Sequence, residues 1–132
     1  MSREIKFRAY TFGEGLKKSM CRVKKIDFSD GEITCEHDYK FKFGEFKLMQ
    51  YTGLKDCKGK EIYESDILKG HGGYVGRVRY NSSYGRFEIK IDKTTIGCEW
   101  QIDDSFPLTE LNINGCEYKA IGNIYENSEL LK

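Results

Sequence analysis

Glu64 and Asp66, in the stretch EIYESD with Glu61, are two apart on an extended segment and so project to one side, as a shared proton or a divalent cation would require. No histidine lies close to them in sequence, and Asp66 is better placed to accept backbone N–H bonds in the turn ahead of Ile67. Cys35 and His37, in the tripeptide CEH, set a soft and a borderline metal ligand on one side of a strand, and Cys57 and His71 would complete a tetrahedral zinc set. Structural zinc is ordinarily held by paired knuckles, and this chain has no CxxC. The cysteines Cys21, Cys35, Cys57, Cys98 and Cys116 are odd in number and widely spaced, so reduced thiols are expected, with Cys21, Cys35, Cys98 and Cys116 packing as small apolar groups. The glycine-rich GHGG of Gly70–Gly73 lacks the Gly-Lys-Ser/Thr and the following helix of a phosphate loop. With His37 and His71 the only histidines and no G-x-S-x-G, a nucleophile has no base at a recognisable spacing. The expectation is a protein that is not an enzyme and holds neither metal nor cofactor.

The elements that must position these residues read as strands. In IKFRAY, Ile5, Phe7 and Ala9 alternate with Lys6, Arg8 and Tyr10, the pattern of a half-buried strand. MCRVKKIDF, Met20 to Phe28, reads as a second strand with Cys21 and Val23 inward, and the Ser29–Glu32 turn leads to a third carrying Ile33, Cys35 and His37 on one side. The aromatic run around Phe41, Phe43, Phe46, Leu48 and Tyr51, interrupted at Gly44, joins two halves of the fold. Beyond it, the turn KDCKGK folds Glu61–Tyr63 back onto Gln50–Gly53. Strands follow at Asp66–Gly70, Tyr74–Tyr80, Arg86–Ile91, around Trp100 and near Tyr118–Ile124; only Glu126–Leu131 reads as helical, with Asn127 or Ser128 as its cap. The fold class expected is mainly β: an N-terminal antiparallel meander over residues 1–47, an SH3-like small β-barrel over residues 48–132, and a short C-terminal helical turn, together one compact unit.

Charge narrows the partners. Eight Lys/Arg against three Asp/Glu lie in Met1–Phe28, yet the whole chain carries a formal charge of only +1, so no global field favours a polyanion. Locally, Lys17, Lys18, Arg22, Lys24 and Lys25 cluster near the start, and Arg77, Arg79 and Arg86 flank Tyr74, Tyr80 and Tyr84, a basic and aromatic mixture of the kind that tracks single strands. Aromatics at 14% exceed what a core of this size uses, which leaves Tyr10, Tyr74, Tyr84 and Trp100 as candidate interface anchors. The candidate binding surface is therefore Tyr74, Arg77, Arg79, Tyr84, Arg86 and Trp100. The chain shows no apolar run of membrane-spanning length and no signal-peptide core, which predicts a cytoplasmic protein with no membrane partner.

Three segments, IKFRAY, LMQYTGLKDCKGKEIYESDILKG and IGNIYENSELL, occur in this order along the chain and together resemble the YopX family, small proteins encoded by phages and prophages of Gram-positive bacteria. The resemblance implies a mostly β protein working in the bacterial cytoplasm and carries over no catalytic residue. Where the family usually shows Gly and Pro, this chain has Ser65 and Ser128; Ser65 weighs against a positive φ at its turn. Function is expected to be binding of a host or phage protein, with self-association into a homo-oligomer as one form of it; the alternative is a nucleic-acid-binding β-barrel.

Overall fold

The computed structural model describes residues 4–13, 15, 18–93 and 105–132, most of them in antiparallel strands. The chain divides into two compact units, Met1–Tyr51 and Thr52–Lys132. The division falls a few residues beyond the expected boundary at 47/48.

The first unit is built from β1 (Phe7–Thr11), β2 (Ser19–Asp27), β3 (Glu32–Cys35), β4 (Lys40–Lys42) and the first part of β5 (Phe46–Lys55). Strands β1, β2 and β3 form the expected meander, which β4 extends beyond β3, and β1 lies between β2 and β5. The period-two pattern sets the faces: Ala9 stands opposite Cys21, and Ile33 opposite both Ile26 and Phe41. Ala9, Ile33 and Cys35 are buried, and Cys21, Val23, Ile26, Phe41 and Phe46 pack against them. Two expectations are corrected here. Ile5 is 69% exposed, because β1 begins only at Phe7. His37 does not continue the strand beside Cys35: the chain leaves β3 in a helical turn over Glu36–Asp38, with φ of 66° at His37 and 61° at Asp38, and His37 is exposed.

The second unit begins within β5 and continues through β6 (Glu61–Tyr63), β7 (Asp66–Lys69), β8 (Val75–Asn81), β9 (Arg86–Lys93), β10 (Ser105–Pro107), helix α1 (Glu110–Gly115) and β11 (Lys119–Asn123). Its five-stranded sheet runs β10-β9-β8-β7-β11. Among the described residues this order is open, with β10 and β11 at its ends, where the sequence pattern suggested a closed barrel. The core consists of Ile62, Leu68, Val78, Ile89, Ile91, Leu108, Ile113 and Tyr118.

The segment from Tyr51 to Gly70 is scaffold. Tyr51, Tyr63 and Ile67 are buried, and Thr52 donates its hydroxyl to the Ile62 carbonyl across the β5–β6 hairpin at 2.7 Å. At the hairpin turn Asp56 accepts from the N–H groups of Lys58 and Lys60, and from Ala120 on β11 at 2.9 Å. Asp66 accepts from the Tyr63 N–H at 2.8 Å, the turn role expected of it. Ser65 adopts φ of 69°, against the expectation from its side chain, and its backbone is held on both sides, its N–H by the Val78 carbonyl and its carbonyl by the Ile124 N–H.

Helix α1 was not expected; Thr109 caps it by accepting from the Asn112 N–H at 3.0 Å, and Ile113 anchors it in the core. The C-terminal helix expected over Glu126–Leu131 shortens to one turn over Ser128–Leu131 behind Asn127. The expected strand around Trp100 lies outside the described residues. Among the described residues no helix is long and apolar enough to cross a membrane.

At Gly76 a Cβ would come within 2.4 Å of the Lys90 carbonyl oxygen on β9, a backbone atom that the sheet holds in place. Gly76→Ala is expected to destabilise the protein by about 1–3 kcal/mol, the usual cost of forcing extra volume into a packed site, read as a lower urea midpoint at unchanged m-value.

Candidate binding surface

Strands β8 and β9 form the longest hairpin of the second unit, and their register sorts the predicted surface. Val78 opposite Ile89 and Gly76 opposite Ile91 turn toward the core. Arg77, Arg79 and Asn81 take the other face, opposite Lys90, Glu88 and Arg86. Glu88 lies on this polar face with only 1% of its side chain exposed. One of its oxygens accepts from Arg79 Nε and from Asn81 Nδ2, both at 2.9 Å; the other is 3.4 Å from Arg86 Nη2. Burial pushes the Glu88 carboxyl up, but the bonds from Asn81 and Arg79 and the Arg79 charge prevail and hold it below its ordinary value. Arg77 is held by Asp92 through two bonds, Nε at 3.1 Å and Nη2 at 2.9 Å, and Arg79 Nη2 reaches the Ser105 hydroxyl at 2.9 Å.

The three arginines brought together here are therefore engaged by two carboxylates. A two-pronged bond to Asp92 uses the Arg77 fork that would otherwise grip a phosphate. Tyr84, at the hairpin tip, is 71% exposed with the Arg86 guanidinium 4.7 Å from its ring centre. Tyr74 is half-buried and packs against the core, not outward. Trp100, together with Lys17 and Cys98, lies outside the described residues. Of the predicted surface, then, Tyr84 is displayed, Arg77, Arg79 and Arg86 are paired and partly exposed, and Tyr74 is packed.

The first unit displays aromatic surface that pattern reasoning missed. Phe28, 79% exposed, follows β2 at the turn into β3, and Phe43, 50% exposed, follows β4 at the turn into β5. Their rings meet edge to face at 6.4 Å, and Phe43 meets Phe46 in the same manner at 5.8 Å. The two turns are tied by a bond from the Phe43 N–H to the Gly31 carbonyl at 2.8 Å; Gly31 takes φ of 65°, and the Phe43 ring lies against it. Asp27 closes the first turn by accepting from the Ser29 and Asp30 N–H groups at 2.9 and 3.0 Å. The Asp30 bond is the main cause holding the Asp27 carboxyl below its ordinary value. Carboxylate oxygens of Asp27, Asp30 and Glu32 gather within 4.8 Å of one another around this turn. Phe46 packs on the Ala9, Ile33 and Cys35 cluster, so the exposed pair stands on a rooted base. The available signal was positional: Phe28 is followed directly by Ser-Asp-Gly and Phe43 by Gly44, so both belong to turns and not to strand faces.

Glu61 and Glu64 are half-buried, Asp66 serves its turn, and His71 is exposed in the helical turn over His71–Gly73.

A family model described as YopX protein matches residues 6–132. The crystal structure of protein EF1440 from Enterococcus faecalis is similar to this chain over 99% of its length and 100% of that protein's, at 27% identity and a TM-score of 0.66. No curated protein matches the chain.

Folded-state depression of the Glu88 carboxyl has a definite sign. The stability it contributes is present above the unfolded value of 4.5 and is lost as pH falls through that value toward the lower folded one. Urea midpoints measured from neutral pH downward are expected to drop below about pH 4.5 in the wild type, and Glu88→Gln to start lower at neutral pH and fall with a shallower slope.

Proposed function

Because the chain belongs to the YopX family, we propose that it is a non-enzymatic phage or prophage accessory protein that works in the bacterial cytoplasm by binding a protein, either a host or phage factor or a second copy of itself. The observation that carries this reading is the Phe28 and Phe43 pair, two exposed rings on adjacent turns that meet edge to face, with Phe43 seated in turn on a half-buried Phe46. Aromatic rings held in place by a packed neighbour supply contact area at low conformational cost, the property of interface anchors. Tyr80, half exposed, and Tyr84 at the tip of the β8–β9 hairpin offer a second, smaller aromatic contact. An SH3-like character for the second unit belongs to the same reading and is supported by the β7-β8-β9 meander with β11 returning beside β7. The turn role of Asp66, and the placing of His37 and His71 in separate exposed turns, support contact over catalysis as the mode of action.

A Phe28→Ser, Phe43→Ser double variant is expected to lose at least tenfold in affinity for whatever the wild type binds, itself included, with less than about 1 kcal/mol change in stability, since Phe28 and much of Phe43 already face water. Sedimentation velocity across a concentration series, with quantitative capture from host lysate by wild type and variant side by side, reads this. A partner or oligomer retained in full by the variant counts against the reading.

The alternative, a nucleic-acid binder, keeps one specific support: the β1–β2 register sets Arg8 directly opposite Arg22, two guanidinium groups at one point of the strand pair. Fluorescence anisotropy with single-stranded DNA and RNA is expected to show no saturable binding near physiological salt; binding that weakens steeply as salt rises, and that Arg22→Glu abolishes, would reverse the order of the two readings.

A further inference from the structure

Strands β2 and β3 bring two cysteines together on the core side of the first unit. Cys35 ends β3 opposite Val23, and the irregularity between Val23 and Lys25 shifts the register just beyond that point. Cys21 lies two residues before Val23, and its Sγ is 2.6 Å from that of Cys35. Both residues are free thiols, Cys35 buried and Cys21 half-buried. A disulfide bond is about 2.05 Å long, so the two sulfurs already stand near bonding distance.

We infer that Cys21 and Cys35 form a redox-modifiable dithiol, a modification site that a low-molecular-weight disulfide of the glutathione class converts into a cross-strand disulfide. In the first step the Cys21 thiol gives its proton to solvent and its thiolate attacks one sulfur of the reagent. A Cys21–S–S–R bond forms, the reagent's own S–S bond breaks, and the departing thiolate takes up a proton. In the second step Cys35 gives its proton to solvent and attacks Cys21 Sγ; the mixed disulfide breaks, and a second small thiol leaves. Two protein thiols are oxidised by two electrons in all, and one reagent disulfide is reduced to two thiols.

The environment assigns the order of attack. Burial, and then the hydrogen bond with Cys21, pushes the Cys35 thiol up to about 12, which makes it a poor first nucleophile, whereas Cys21 has a path to solvent. In the second step Cys35 needs no diffusional encounter, because its target is already in contact. The closed bridge ties β2 to β3 in the small cluster of Ala9, Ile33 and Cys35 and shuts a loop between residues 14 apart in sequence. This inference is independent of the partner-binding reading.

The test treats the reduced full chain with oxidised glutathione, followed by acid quench, alkylation, trypsin and mass spectrometry. Trypsin cuts between the two cysteines at Arg22, Lys24 and Lys25, so a bridge appears as two joined peptides lighter by two hydrogens than the separate thiol peptides. The expected result is a Cys21–Cys35 linked pair, with exposed Cys116 carrying a glutathione adduct as the internal control for reaction. Oxidised chain is also expected to show a higher urea midpoint than reduced chain. Cys35→Ser is expected to trap glutathione on Cys21, and Cys21→Ser to leave Cys35 unmodified. Stable glutathione on Cys21 of the wild type, linkage of either residue to another cysteine, or both thiols remaining open to alkylation while Cys116 reacts would each overturn the inference; these wild-type outcomes stand even if a variant fails to fold.

Discussion

A carboxylate removed from water survives only if donors surround its oxygens, and that constraint organises the second unit. Asp56 gathers N–H groups from its own turn and from β11, whose Ala120 is 64 residues away in sequence. Asp66 holds the turn ahead of β7, and Glu88 draws Arg79, Arg86 and Asn81 onto one point of the β8–β9 hairpin. Each demand fixes a piece of backbone or a long side chain that would otherwise be free. The cost of burying charge is thereby converted into specificity of turn, register and hairpin face.

The same constraint decides what the surface offers. Arginines beside tyrosines read as a cationic, aromatic face when only their spacing is known. With Asp92 gripping Arg77, and Glu88 holding Arg79 and Arg86, much of that positive charge is paired, and the largest exposed aromatic pair lies elsewhere, on the turns that carry Phe28 and Phe43. Pairing across strands is set by register, and register is invisible to a reading that follows one strand at a time.

Much of the strand pattern was legible for that reason and no further. Alternation in FRAYT, VGRVRYN and RFEIKI reports burial on one face, and β1, β8 and β9 appear where it occurs. Family resemblance added the order of the segments but not the partners of Arg77 or Arg79. His37 was misread because alternation was carried past Cys35, whereas the chain turns there through two positive φ angles that no side-chain period announces. Helix α1 escaped because six residues with two asparagines and a glycine show little helical preference; its capping Thr109 and the burial of Ile113 supply what propensity does not. Ser65 shows tertiary context overriding local preference, with strands β8 and the end of β11 holding its backbone in a conformation that suits glycine.

At the far side of the meander, β4 is three residues long and sets exposed Lys40 and Lys42 around a half-buried Phe41. A sheet margin so brief and so cationic is a poor template for a neighbouring chain, since each added copy would align ammonium groups and gain few main-chain bonds. Along that margin the fold itself discourages the open-ended addition of further chains.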